Sequence, residues 1–265
     1  MNTIQINDAH LLVVQQGPPR ALPVVFIHGF PFSHAMWQSQ IGAVSRHFRA
    51  IAYDVRGLGG SSVGDGQYTI EGHVDDLIGL LDRLEIPKAV ILGLSMGGYI
   101  ALRALERNPE RWTAAVLCNT RSEADTNEGR IGRAAAIRMV KKAGSQAFAD
   151  EFVRKVFAPA SFTRVPEAVE MITGIIARTP PLAIAGSLLA LAGRTDTTGS
   201  LPDIRVPTLI MVGEHDVTTP PEASRAMHGR ISRSELHIVP DAAHMSPMEN
   251  PGFVNSHLLE FLNRL

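Results

Sequence analysis

The stretch Ala89-Val90-Ile91-Leu92-Gly93-Leu94-Ser95-Met96-Gly97-Gly98 decides the fold. Its first four residues are apolar without polar alternation, as in a strand covered on both faces, and the apolar stripe from Tyr99 to Glu106 has helical spacing. Between them sits a Gly-x-Ser-x-Gly turn, Gly93 to Gly97. A serine on so sharp a strand-to-helix turn adopts a strained backbone that lifts its hydroxyl clear of the sheet, and the flanking glycines leave room for the turn. The helix beginning beneath it offers unpaired N–H groups and a positive dipole end to developing negative charge. The bare pattern is a weak signal; its position between a strand and a helix makes it a strong one.

Similar short runs recur outward from this segment. Ala21 to Ile27, Arg49 to Tyr53, Ala114 to Leu117, Thr208 to Val212 and Leu236 to Val239 read as further strands. Tyr68 to Leu84 carries Val74, Leu77, Ile78, Leu81 and Leu84 at spacings of three and four, and Phe253 to Leu262 carries a comparable stripe. Strands alternating with helices predict an α/β sandwich around a mostly parallel sheet. The rhythm stops between about 120 and 200, where helix signals follow one another without a strand. Asp125 or Thr126 is placed to cap a helix through Ala143, Ser145 to begin one ending near Phe157, and Pro166 to open a third, with Pro180 and Pro181 dividing the last two. The expected organisation is a core at 1–119 and 201–265 with an all-helical cap at 120–200. Met139, Phe148, Phe152, Phe157, Met171, Ile175, Leu182, Leu188 and Leu189 are expected mainly to pack that cap onto the core, a few of them lining a pocket.

Composition narrows the function classes. The 265 residues carry 25 Lys plus Arg against 26 Asp plus Glu, for a net charge of -1, and like charges form no long run, so neither nucleic acid nor an anionic membrane is indicated as a partner. With 45% hydrophobic and 19% charged residues the chain can bury a large core. A single cysteine, Cys118, offers no intrachain disulfide and no CxxC zinc motif; it reads as a small buried hydrophobe. The first residues lack the basic start and apolar run of a leader and read as mature protein, and Leu182 to Ala192 is too short to cross a bilayer. A cytoplasmic location is expected, and monomer and homodimer both stay open.

A serine hydroxyl needs a base to remove its proton during attack. Of ten histidines, His244 is best placed, because Pro240 to Met245 follows the last strand and Pro247 is placed to open the last helix; such loops at strand C-termini are where open α/β sheets assemble sites. A carboxylate must then orient the imidazole. Asp216, in the loop after the penultimate strand, is assigned this part, with Glu214 as the main rival and Asp196, Asp203 and Asp241 less well placed. Donors for an oxyanion are expected from the backbone N–H of Met96, which follows the serine, and of Phe30 in the His28-Gly29-Phe30-Pro31 loop, since Pro31 has no N–H. His28 reads as turn-fixing. No metal-ligand spacing, phosphate loop or dinucleotide fingerprint is present, so no metal and no cofactor are expected.

Taken together, His28 to Pro31, Asp54 to Ser61, Gly93 to Gly98, Gly213 to Asp216 and Asp241 to Glu249 resemble, in order and over nearly the whole chain, the α/β-hydrolase superfamily. Within it the chain is similar to small bacterial carboxylesterases related to 3-oxoadipate enol-lactonase-like hydrolases and cofactor-free haloperoxidases or perhydrolases. The resemblance implies a Ser95, Asp216, His244 triad, an oxyanion hole from Phe30 and Met96, a helical cap, and a structural role for the Asp54 to Ser61 loop. The triad reading with this resemblance gives the expectation of a carboxylic-ester hydrolase working through an acyl-enzyme, and the cap's apolar content favours small, fairly apolar esters. Lactone hydrolysis, C–C bond hydrolysis and perhydrolysis on the same triad remain alternatives, as does a non-catalytic small-molecule receptor. Leu117-Cys118-Asn119-Thr120, leading into the cap, is shared in style with the lactonase-like relatives, and Pro31 with the perhydrolase group. Ser95 argues against the dehalogenase and epoxide hydrolase relatives, which carry a carboxylate at the nucleophile position.

Overall fold

The computed structural model describes all 265 residues. A hairpin opens the chain, β1 (Asn2–Ile6) and β2 (Ala9–Gln16), followed by β3 (Pro23–Ile27), α1 (Gln38–Val44), β4 (Arg49–Tyr53), α2 (Ile70–Arg83), β5 (Ala89–Leu94), α3 (Met96–Arg107) and β6 (Trp112–Cys118). Four helices intervene before the next strand: α4 (Asn127–Val156), α5 (Ser161–Arg164), α6 (Pro166–Arg178) and α7 (Pro181–Ala192). The chain then completes β7 (Thr208–Gly213), α8 (Pro221–His228), β8 (Ser234–Val239), α9 (Ser246–Glu249) and α10 (Pro251–Leu262). The eight strands form one sheet in the order β1-β2-β4-β3-β5-β6-β7-β8. From β4 through β8 every neighbouring pair is parallel, and β1 and β2 join antiparallel at one edge.

All six strands read from the sequence are present, in some cases a residue or two longer or shorter. β5 and β7 are buried along their whole length, which is why apolar runs without alternation identified them. The β1–β2 hairpin was not foreseen. β1 alternates polar and apolar residues with Gln5 exposed, and β2 holds the apolar run Leu11 to Val14 between the polar His10 and the exposed Gln15 and Gln16, so the hairpin shows a strand signal only in part of its second strand. The short helices α1 and α8 also escaped notice. Pro247 does not open the last helix: it lies in the single turn of α9, and Pro251 opens α10, with Asn250 capping it through Phe253 N–H.

Between β6 and β7 no strand occurs. Thr126 caps α4 by accepting from Gly129 N–H, and α4 breaks at Gly144, whose φ of 82° lies in the left-handed region open to glycine; two helical segments result, divided where Ser145 was expected to start the second. Pro166 and Pro181 occupy the first turns of α6 and α7. Phe148, Phe157, Ile175 and Leu188 are buried in the same continuous apolar cluster as the sheet. Met171, Leu182 and Leu189 are exposed instead, because they fall on outward faces of α6 and α7; the high apolar content of α7 concealed which face turns inward. No single helix is long and apolar enough to cross a membrane.

Candidate active site

β5 delivers Ser95 at its C-terminal end with φ 53° and ψ -113°, a conformation that costs a non-glycine residue of order 1–3 kcal/mol and persists only where the surroundings enforce it. Here they do. Ser95 N–H donates to Cys118 O, and Thr120 Oγ1 donates to Ser95 O over 2.9 Å. Gly97 is required by close approach: a Cβ there would lie 2.2 Å from the carbonyl oxygen of Ile27. The turn therefore brings α3 against the end of β3, which carries the His28 to Pro31 loop.

Asp216 and His244 meet in the loops after β7 and β8, and Asn119, between the Cys118 and Thr120 that bond the Ser95 backbone, links them to this turn. Asp216 Oδ2 lies 2.8 Å from His244 Nδ1, with both side chains almost wholly buried. The carboxylate also accepts from Asn119 Nδ2 at 2.9 Å, from Thr219 Oγ1 at 2.8 Å and from the backbone N–H groups of Thr218 and Thr219. Burial alone would raise the Asp216 pKa, but the neighbouring His244 and these donors outweigh it and bring it down to about 2. An ionised Asp216 fixes the Nδ1–H tautomer of His244 and leaves Nε2 free to act as a base. His244 makes its side-chain hydrogen bonds through Nδ1, and none joins Nε2 to Ser95 Oγ in this structure. The rival carboxylates lie apart from this pair. Glu214 is half exposed beside His215, Asp196 accepts from Ala124 and Thr198 N–H groups, and Asp203 and Asp241 are exposed with loose arginine contacts of 3.9 Å.

Phe30 and Met96 are both buried. Met96 is the first residue of α3, so its N–H has no intrahelical acceptor, and no backbone carbonyl accepts from Phe30. His28 is fully buried, donates from Nδ1 to Gly29 O over 2.8 Å and accepts at Nε2 from Val55 N–H over 2.9 Å. Both nitrogens are used by the backbone, and burial pushes its pKa down, so it is a neutral turn-fixing group. Asp54 likewise serves its loop, accepting from His34 and Gly60 N–H groups. Cys118 is buried, and burial pushes its thiol up to about 12, away from nucleophilic reactivity.

Over the Phe30 ring α4 supplies an aromatic wall. The Phe148 and Phe152 centroids lie 6.2 and 5.8 Å from Phe30 in edge-on contacts, and both rings line a cleft of about 320 Å³ with Ala135, Ala136 and Met139. Glu151 and Lys155 stand on the rim of this cleft.

Asn119 was not singled out by sequence reasoning. It follows β6 with φ 44°, donates to Asp216 and to Ala243 O, and accepts from Ser246 Oγ. One side chain thus ties the Asp216 loop to both sides of His244. The only hint was its place at the end of a central strand, since no local pattern marks an asparagine as bonded to a residue almost a hundred positions later.

Comparison with known proteins identifies the family. The chain is 30% identical over 98% of its length, and 95% of the other, to 3-oxoadipate enol-lactonase 2 of Acinetobacter baylyi. A thermophilic esterase from Thermogutta terrifontis, solved with malate bound, superposes with a TM-score of 0.95 at 34% identity, covering 100% of this chain and 99% of that one. The enol-lactonase from Burkholderia xenovorans superposes with a TM-score of 0.92 at 30% identity, covering 99% and 100%. Residues 23–251 match the family model described as the alpha/beta hydrolase fold. With that match spanning β3 to the start of α10, and a serine turn, an acid and a histidine in the family's chain order, the chain belongs to the α/β-hydrolase family and is a hydrolase.

Proposed function

We propose that this hydrolase is a serine carboxylesterase acting on small, fairly apolar carboxylic esters. The observation that carries the reading is the buried Asp216–His244 pair at 2.8 Å, tied through Asn119 to the Cys118–Thr120 segment that bonds the Ser95 backbone. In the first half-reaction Ser95 Oγ attacks the ester carbonyl carbon while His244 Nε2 takes the hydroxyl proton, and the carbonyl oxygen becomes an anion held by the N–H groups of Phe30 and Met96. Collapse breaks the C–O bond, and His244 returns the proton to the departing alcohol. In the second half-reaction water attacks the acyl-Ser95 carbonyl, with His244 again taking and returning a proton, and the carboxylic acid leaves. Asp216 stays ionised throughout and stabilises the imidazolium. No cofactor enters this chemistry.

Residues 120–200 are the cap in this reading, and its aromatic wall over Phe30 favours apolar acyl or aryl groups. A lactone is an ester closed into a ring, so the same steps open it. The enol-lactonase relatives at 30% identity favour this as the second reading. Comparing kcat/KM for simple esters, enol-lactones and β-diketones separates the two, because specificity is a ratio of these constants. The proposal expects simple esters to be turned over with the highest ratio and Ser95→Ala to be inert on all three; a lactone preferred by orders of magnitude favours the second reading. Activity retained by Ser95→Ala contradicts both.

A further inference from the structure

Glu249, the last residue of α9, is a buried carboxylate, 3% exposed, all of whose donors are neutral groups. Leaving such a charge out of water is costly unless its lone pairs are filled. Four hydrogen bonds fill them, and they divide between two parts of the chain. Oε1 accepts from Ala158 N–H at 2.8 Å, in the joint between α4 and α5, and from Ser161 Oγ at 2.7 Å, on the first residue of α5. Oε2 accepts from Ala243 N–H at 2.8 Å and Met245 N–H at 3.1 Å, the two residues flanking His244. Further bonds run the same way: Met245 N–H is shared with Val156 O, and Arg164 donates to the carbonyls of Asp241 and Glu249.

We propose that Glu249 is a positioning residue for His244, and that its divided carboxylate makes the placement of the base depend on the docking of Ala158–Ser161. This rests on His244 being the base of the proposed reaction. The His244 ring is fixed at one end by Asp216, but where Nε2 falls relative to Ser95 is set by the backbone at 243–245, and Glu249 holds the N–H groups on either side. A carboxylate serving only the loop would use one oxygen; one serving only the helical joint would use the other. Hydrogen bonds to an ionised acceptor are short and strong, so movement at the joint is passed to the loop through a single rigid group. No local sequence signal shows this: Glu249 lies within the Asp241 to Glu249 motif, yet its partners at 158 and 161 are distant in the chain.

The test pairs Glu249→Gln with Ser161→Ala, assayed on a p-nitrophenyl ester, with folding followed by circular dichroism. Glutamine keeps the shape but turns an N–H₂ group toward one pair of donors. The expected result is a kcat lower by about 10- to 100-fold, the scale of a small misplacement of a reacting group, with KM within about twofold. The downfield proton NMR signal of the His244 Nδ1–H held by Asp216 should weaken or shift in parallel. Ser161→Ala, which touches no residue of the triad, should lower kcat several-fold, and the effect should shrink or vanish in the Glu249→Gln background, as coupled sites require. If both variants change only the melting temperature and leave kcat, KM and the NMR signal alone, Glu249 is structural and the proposal is overturned. If Glu249→Gln does not fold, Ser161→Ala decides by the same readouts. Ser95→Ala run in parallel separates the two readings: activity surviving in it removes the base assignment itself, whereas an inert Ser95→Ala beside a fully active Glu249→Gln removes only the role of Glu249.

Discussion

Asn119 Nδ2 donates to Asp216 Oδ2 across 2.9 Å, the same oxygen that faces His244 Nδ1 at 2.8 Å. The asparagine therefore acts on the acid rather than on substrate: it helps keep the carboxylate ionised and aimed. Replacing it by alanine also leaves Ser246 Oγ and Ala243 O without their partner. A hydrogen bond to a charged group is worth ~1.5–3 kcal/mol, which corresponds to a loss of about 10- to 100-fold in kcat/KM for Asn119→Ala. Steady-state kinetics on a short ester check this; an unchanged kcat/KM would show that the other donors hold Asp216 unaided.

The serine turn has a measurable steric limit. A Cβ at Gly97 would meet Ile27 O at 2.2 Å, whereas one at Gly132, on α4, would meet nothing within 4 Å. Gly97→Ala is expected to lose about 3 kcal/mol or more of stability or to fail to fold, because backbone cannot move aside cheaply. Gly132→Ala is expected to gain about 0.5–1 kcal/mol from helix propensity. Urea unfolding midpoints of the two variants provide the comparison.

His73 on α2 supplies a pH-dependent prediction. It is fully buried with neither ring nitrogen bonded, and burial pushes its pKa down to about 4. The unfolded chain therefore binds this proton more readily than the folded one. Its contribution is intact above the unfolded value of about 6.5 and is lost progressively as pH falls toward 4, reaching about 3 kcal/mol. His73→Leu should remove that share of the decline, so that parent and variant differ in the slope of stability between pH 6.5 and 4. Parallel slopes from denaturant titrations across this range would contradict the assignment.

Phe152 gives a specificity prediction, conditional on the acyl group lying under the aromatic wall. Its ring contacts Phe30 and Phe148 and borders the cleft. Phe152→Ala opens space that extra methylenes can fill at ~0.8 kcal/mol each, so the kcat/KM ratio of a butyrate to an acetate ester, two methylenes apart, should rise about tenfold. An unchanged ratio places the acyl group elsewhere.

The sequence disclosed what is local and lost what is distant. The turn at Ser95 was legible because it needs particular neighbours within two residues, and β5 and β7 because full burial leaves no alternation. The Asp216–His244 pairing was legible because each residue sits in the loop after a recognisable strand. Asn119 and Glu249 were not, because their partners lie far away in the chain and their residue types occur in many unrelated loops. β1 stayed hidden because an edge strand exposed to water permits polar residues that mask it, whereas the apolar run Leu11 to Val14 of β2 was a signal left unread. Leu182 and Leu189 misled for the opposite reason: an almost wholly apolar helix carries no mark of which face meets solvent.

In the proposed reaction Ser95 is the nucleophile, activated by His244. The most direct measurement is covalent trapping with a p-nitrophenyl phosphonate ester near pH 7.5, followed by intact-mass and peptide mass spectrometry. The predicted result is one phosphonyl group per chain on the peptide containing Ser95, with stoichiometric release of p-nitrophenol. No adduct should form in Ser95→Ala, and labelling should slow at least a hundredfold in His244→Ala. Labelling of another residue, or equal labelling of Ser95→Ala and the parent, would contradict it.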